Sequence, residues 1–327
     1  MFYRTQSAYF RQRFGTRVQK LSIDAGFTCP NRDGRLGTGG CTFCQGEAFS
    51  PSYCRRAGSI AEQVAEGIGF HRRRYRSAAK YLAYFQSYSN TYAPVGVLRE
   101  RYGEALRQPG VVGLVIGTRP DCVDDEVLDL LETLGREHYV AVEYGIESCH
   151  DSTLRAIRRG HDFACTERAV RLTAERGLPV GGHLILGLPG EGRDEVLAEA
   201  PLLNALPLTS LKLHQLQVLR GTEMERQYAD EAFRRTLPQW GLEEYVGLVC
   251  DLLERLRDDL VIERLAGEVP PRYQACPERS FRRQDGRLLR NEEMPALVEA
   301  ELRRRGTRQG CRVEASVSQE KNKETVL

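Results

Sequence analysis

Strand-length apolar runs alternate with helix-length amphipathic stretches through most of the 327 residues, and this alternation leaves little choice of architecture. KLSIDAG, KYLAYF, VVGLVIG, HYVAVEYGI, LPVGGHLILG and SLKLHQLQVL read as six strands. Helices are expected between them over 59–76, 97–106, 124–137, 161–176 and 193–205, the first opening on a capping box of Ser59 and Glu62. Strands that each feed a helix before the next strand run parallel, so the loops at their C-terminal ends gather on one rim. The pattern predicts an α/β fold: a partial (β/α)6 TIM-like barrel over 20–270 after an N-terminal segment, 1–19. A helix over 242–256 and a last β-element in VIERLAGEVPP complete the barrel region. A small C-terminal extension is expected over 271–312 and a disordered tail over 313–327, where the chain turns polar.

The first rim loop is the most unusual. After Leu21 and Ile23, the chain enters a glycine-rich stretch holding Cys29, Cys41 and Cys44, spaced C-x11-C-x2-C. A loop this polar does not place three thiols in an apolar core. Three thiolates suit a four-iron cluster that leaves one iron open to a small molecule. Two other readings stand beside it: a four-cysteine zinc site with Cys54 as the last ligand, and a redox pair at Cys41 and Cys44. The remaining cysteines are scattered without ligand spacing and read as small packing residues.

Charge is distributed unevenly. Residues 1–110 carry 17 Lys and Arg against 7 Asp and Glu, whereas the remainder carries 30 against 38. A basic first third suits a polyanionic partner and equally suits a solvated surface. In its helix-end run, Arg72, Arg73, Arg74 and Arg76 are the first candidates for phosphate contacts. No apolar run reaches bilayer length, and the first residues lack the apolar core of an export signal. With ten cysteines and no such signal, the expected compartment is the reducing cytoplasm, with no membrane partner.

The cysteine loop and the rim segments that follow it resemble the radical S-adenosylmethionine (SAM) superfamily, in its Elongator-catalytic-subunit-like branch and the YhcC/YtqA-type bacterial group. The resemblance covers roughly 18–270. It implies a [4Fe–4S] cluster on Cys29, Cys41 and Cys44, with SAM on the open iron, and an electron donor such as flavodoxin or ferredoxin. Phe43 matches the aromatic that the superfamily places near the adenine. FQSYSNTYA stands where relatives hold the SAM amino group; the usual Gly-Gly-Glu is absent, and Ser87, Ser89, Asn90 and Thr91 offer hydroxyl and amide groups instead. Glu147, in GIES, matches the ribose position, and Arg159 matches an arginine on the SAM carboxylate. His183 replaces an aspartate found at the SAM site of coproporphyrinogen-dehydrogenase-like relatives. Ile185 and Gly187 match the surface under the adenine, and Thr118 and Arg119 lie on the third rim loop. No protein base is required for radical generation, so no catalytic side chain is named.

The resemblance also suggests a substrate. YhcC/YtqA-type proteins are tied to the C5 side chain of the wobble uridine in tRNA, with removal of the carboxymethyl group from carboxymethylaminomethyluridine to leave aminomethyluridine. Elongator relatives add an acetyltransferase domain, for which this chain is expected to be too short. Two alternatives stand: a small-molecule radical SAM oxidoreductase of the coproporphyrinogen-dehydrogenase kind, and a zinc-stabilised nucleic-acid-binding module.

Overall fold

A computed structural model describes residues 1–313 except 49, 57, 75–77 and 284, and at 47, 55, 56 and 74 it describes the backbone alone. Arg76 and nearly all of the expected disordered tail therefore lie outside the described residues, as does the side chain of Arg74.

Seven strands form one sheet: β1 (Val18–Ile23), β2 (Lys80–Phe85), β3 (Val111–Thr118), β4 (Tyr139–Glu147), β5 (Val180–Leu186), β6 (Ser210–Gln215) and β7 (Val261–Arg264). Their spatial order is their chain order and every neighbouring pair is parallel. The sheet curls into a half-barrel. The six-unit expectation is one strand short, because VIERLAGEVPP supplies β7 as a full ladder partner of β6.

Side-chain alternation sorts the strands into two faces. The outward face (Leu21, Ile23, Ala83, Phe85, Leu114, Ile116, Val140, Val142, Leu184, Leu211 and Leu213) joins the helices in one continuous apolar core. Near-continuous aliphatic runs arise because helices cover that face completely. The lumen face differs. Its lower end is closed by the Gln6–Phe14 helix, whose Phe10 packs with Leu82, Tyr84, Val115, Tyr139 and Ala141. Thr5 caps that helix and pairs in parallel with Ile262, which anchors the helix beside β7. Above this apolar plug the lumen becomes ionic.

Several helix starts follow from local side-chain chemistry. Asp124 accepts from Val127 N (2.9 Å) and Asp162 from Cys165 N (2.8 Å), each satisfying an amide that the first turn leaves open. The Met294–Arg305 helix packs on the Leu242–Arg255 helix, and its Met294, Val298 and Leu302 belong to the main apolar core. The C-terminal extension is thus continuous with the barrel's packing. Gln309 donates to the Leu260 and Arg257 carbonyls and accepts from Arg4 N, tying the end of the described chain to its start.

The helix-end arginines do not flank the rim. The Ile60–Arg74 helix returns the chain from the top of β1 to the bottom of β2, so its C-terminal end lies at the end of the sheet away from the rim loops. Arg72 and Arg73 are exposed there. Phosphate contacts at Arg72 and Arg73 would therefore fall away from the barrel mouth.

Candidate functional site

A cavity of about 1360 Å³, including its solvent-filled mouth, opens at the C-terminal ends of the strands. Cys29, Cys41 and Cys44 line it together with Phe43, Ser87, Ser89, Thr118, Arg119, Glu147, Arg159, His183 and Ile185. Residues spread over more than 150 positions of sequence thus converge on one space. Cys54 does not line it; its thiol donates to the Ser22 carbonyl at 3.2 Å.

The cysteine loop is held by the turn that follows β4. Asn31 Nδ2 donates to the carbonyls of Arg158 (2.9 Å) and Arg159 (3.1 Å) and lies 3.4 Å from Cys41 Sγ. Thr42 N donates to Ile157 O at 3.0 Å. Two guanidinium groups face the same sulfur, Arg159 Nη1 at 3.6 Å and Arg119 Nη1 at 3.9 Å. Arg32 donates to the Cys44 carbonyl at 2.8 Å. Burial raises the Cys44 thiol pKa, and the Cys41 charge adds to this while Arg32 opposes it. Cations around the thiols suit a ligand set that must lose its protons to bind iron.

Three thiols on the cavity wall without Cys54, whose thiol is engaged by Ser22, fit a four-iron cluster with one open corner and argue against the four-cysteine zinc reading.

Beside the loop, the end of β4 is strained. Glu147 has a φ of 66°, and Tyr88 (62°) and Arg158 (54°) are the other described non-glycine residues at positive φ. All three lie at the cavity rim or next to it, and such strain tends to gather at functional sites. Gly145 is required there: a Cβ would stand 2.3 Å from Glu147 Oε1 and 2.6 Å from Arg159 Nη2. Arg159 Nη2 donates to the Gly145 carbonyl at 2.6 Å and lies 3.5 Å from Glu147 Oε1. Its Nε is buried without a partner, as is Ser89 Oγ. An orphaned guanidinium proton and an orphaned hydroxyl on one wall fit a ligand that carries a carboxylate and an amino group, as SAM does.

Other predicted residues have local work. Asn90 Nδ2 donates to the Phe85 (3.1 Å) and Gly117 (2.7 Å) carbonyls, and Thr91 Oγ1 meets Thr118 Oγ1 at 2.6 Å and Cys122 O at 2.5 Å. Both tie β2 to β3 behind the cavity wall, and neither lines it. Arg119 holds Asp121 through two contacts of 2.8 Å; burial would raise that carboxyl, but the arginine outweighs it and keeps it low. Phe43 and Ile185 pack in one apolar cluster on the wall. Gly187, at φ 87°, sits just outside the lining against Pro238 and Trp240.

The inner end of the cavity holds what the sequence reading missed: Tyr84, Glu143, Lys212 and His214, joined there by His183. Glu143 lies four residues before Glu147 on the same strand, about 13 Å deeper at ~3.3 Å per residue. Lys212 Nζ donates to Glu143 Oε2 (2.9 Å) and Tyr84 Oη (3.1 Å) and pairs with Glu263 Oε1 at 2.7 Å. Lys20 bridges the same two carboxylates from β1. Burial alone would raise Glu143; Lys20 and Lys212 overcome it and hold the carboxyl well below its usual range. Burial, then Lys212, lowers His183, with Glu143 opposing. Burial, then Arg264, His183 and Lys212, lowers His214 further, so both imidazoles are neutral near pH 7. A signal was present in the sequence: Glu143 interrupts an apolar run, and Lys212 and His214 alternate with Leu211 and Leu213, all at positions whose alternation faces them inward.

These features define a radical SAM barrel, and sequence comparison agrees: the Radical SAM superfamily profile matches residues 31–200 and the Radical SAM C-terminal domain matches 208–292. The chain belongs to the radical SAM superfamily and is a radical SAM enzyme, whose cofactors are a [4Fe–4S] cluster and SAM. It is 42% identical to YhcC of Escherichia coli K12 over 256 residues, covering 78% of this chain and 80% of YhcC. It is 35% identical to YtqA of Bacillus subtilis 168 over 308 residues, covering 94% of this chain and 92% of YtqA. A tRNA uridine(34) acetyltransferase of Dehalococcoides mccartyi is 28% identical over 162 residues, 49% of this chain and 34% of that protein. Among solved structures, the Methanocaldococcus infernus Elp3 superposes with a TM-score of 0.64 at 16% identity, over 89% of this chain and 64% of that one, a likeness of fold. Among the described residues no helix is long and apolar enough to cross a membrane.

Proposed function

We propose that the enzyme modifies the C5 side chain of the wobble uridine in tRNA, converting carboxymethylaminomethyluridine to aminomethyluridine: with SAM as the two-electron oxidant, the carboxymethyl carbon is oxidised to an imine, and water cleaves the C–N bond to release glyoxylate and the amine. With cluster and SAM bound, and one electron from a flavodoxin- or ferredoxin-type donor, the cofactors supply a 5′-deoxyadenosyl radical that abstracts a substrate hydrogen. In this reading the chain binds, orients and excludes water. Cys29, Cys41 and Cys44 hold the cluster. Arg159 and Ser89 receive the SAM carboxylate and amino group, Glu147 the ribose, and Phe43 and Ile185 the adenine. Ser87, Thr118, Arg119 and His183 line the remaining wall around SAM.

The observation that carries the tRNA reading is the mouth. Arg32 stands over the Tyr88 ring at 5.4 Å and Arg35 over the Tyr92 ring at 5.7 Å, on the loops that frame the opening. Tyr88 is 37% exposed, held outward at positive φ. Paired arginine and tyrosine at the lip of a deep cavity suit a base extruded from a loop, with phosphates nearby. Support also comes from the tRNA uridine(34) acetyltransferase relative. The test is the modified-nucleoside profile of tRNA from a strain lacking this chain. Accumulation of carboxymethylaminomethyluridine with loss of aminomethyl derivatives is expected. An unchanged profile would overturn the reading and favour a small-molecule substrate.

A further inference from the structure

We infer that the cavity beyond the SAM wall, formed by Lys212, His183 and His214 over Glu143 together with Gln217 just past the end of β6, receives the end of a substrate side chain bearing both a carboxylate and an amine. The inference rests on the substrate entering this cavity, and it assigns residues and charge to the part of the cavity beyond the SAM wall.

Lys212 donates to Glu143 and Tyr84 and pairs with Glu263. His183 Nε2 lies 3.2 Å from Lys212 Nζ but 2.7 Å from Glu143 Oε2. The ionised Glu143 carboxylate can only accept, so Nε2 carries hydrogen and donates to it. The other ring nitrogen, Nδ1, is then a bare acceptor on a cavity-lining residue. Gln217 adds a second acceptor: its Nε2 donates to Gly267 O at 2.9 Å, while its Oε1 is buried without a partner. Two acceptors without donors call for a ligand N–H group.

Lys20, Lys212 and neighbouring Arg264 stand against Glu143 and Glu263, with both imidazoles neutral. The acidic Glu147 above them is engaged by Arg159. Among the described residues one positive charge is left over, with Arg264 beside the cavity and not on its lining, and it favours an anion of the ligand. Gly267 keeps this end open: a Cβ there would meet His214 Nδ1 at 2.5 Å. Orphaned acceptors with a surplus cation complement an N-substituted glycine and do not complement a plain amine or a neutral base.

The experiment measures binding to reconstituted, SAM-loaded, unreduced enzyme, so no turnover intervenes. The probes are anticodon stem-loops whose wobble uridine carries carboxymethylaminomethyl, aminomethyl or no substituent, and free N-benzylglycine against benzylamine. Wild type should prefer the carboxylated member of each set by about tenfold or more. Lys212→Met should erase that preference without changing affinity for the unsubstituted loop. Gln217→Leu, which leaves the ion pairs intact and serves if Lys212→Met misfolds, should weaken the carboxymethylaminomethyl and aminomethyl loops alike, several-fold relative to the unsubstituted loop. Equal binding of carboxylated and plain probes by wild type, a carboxylate preference that survives Lys212→Met, or amine-bearing loops that bind Gln217→Leu as they bind wild type, overturns the inference. If no stem-loop binds while N-benzylglycine still outcompetes benzylamine, the tRNA reading fails and the carboxylate site stands.

Discussion

The two ends of the cavity are built on opposite plans. The outer end, with its cysteines, Arg159 and Glu147, is carried by loops and strand termini, and it keeps polar atoms unpaired. The inner end is carried mainly by strand interiors, and most of its ionic groups pair with one another across five strands. The outer wall leaves single polar atoms to its ligands, while the inner end uses most of its charge to hold the barrel together and keeps one cation over. Changes at the outer end should therefore cost cofactor, and changes at the inner end should cost fold.

The sharpest break is at the cysteines. Cys29→Ala, Cys41→Ala or Cys44→Ala should abolish the cluster's visible absorption and SAM cleavage, while Cys54→Ala keeps iron and activity. Iron loss in Cys54→Ala matching that in Cys44→Ala would restore the four-cysteine site.

Next is Glu143→Gln, which leaves Lys20 and Lys212 short of an anion. Removing one partner of a buried ion network costs about 3–5 kcal/mol, to be read from urea unfolding. The pH dependence has a definite sign. The folded Glu143 pKa is depressed, so its contribution is complete above the unfolded value of about 4.3 and is lost as pH falls through the lower folded value. Wild type should lose stability across that acid window more steeply than Glu143→Gln. Parallel acid profiles would mean that other groups carry the window.

At the outer end, Arg159→Gln should weaken SAM binding roughly ten- to a hundredfold, by about 1.5–3 kcal/mol for one charged hydrogen bond, with urea midpoints nearly unchanged. Calorimetric titration with SAM decides it; a large fall in stability with unchanged SAM affinity would reverse the contrast between the ends.

The smallest effect is expected outside the cavity. Arg35→Ala at the mouth should flatten the log–log salt dependence of tRNA binding by about one unit or slightly less, whereas Arg72→Ala/Arg73→Ala should leave the slope alone. A flatter slope in the double variant would mean that RNA wraps to the far end of the barrel.

The same contrast explains what the sequence disclosed. The cysteine loop, Glu147 and Arg159 were legible because rim loops carry spacing that packing does not demand. Asn90 and Thr91 were misplaced because a polar residue after a strand serves equally well as a ligand or as a stitch between strands, and only the carbonyls of Phe85 and Gly117 reveal which. Lys212 and His214 were passed over because strand alternation alone does not tell a solvated face from a lumen. β7 was legible as a last β-element but not as a ladder partner of β6, because the strand is only four residues long.

Strand order equal to chain order has a consequence for synthesis. Each strand can dock on its predecessor as it leaves the ribosome, yet Lys20 waits for Glu263, 243 residues later. At about 5–20 residues per second that delay is roughly 12–50 s. The cysteines emerge early in the same interval, more than a hundred residues before the Arg159 that will face Cys41. The nascent chain thus displays three bare thiols well before their cationic wall exists, and productive iron loading belongs after release, when the last strand has latched the first.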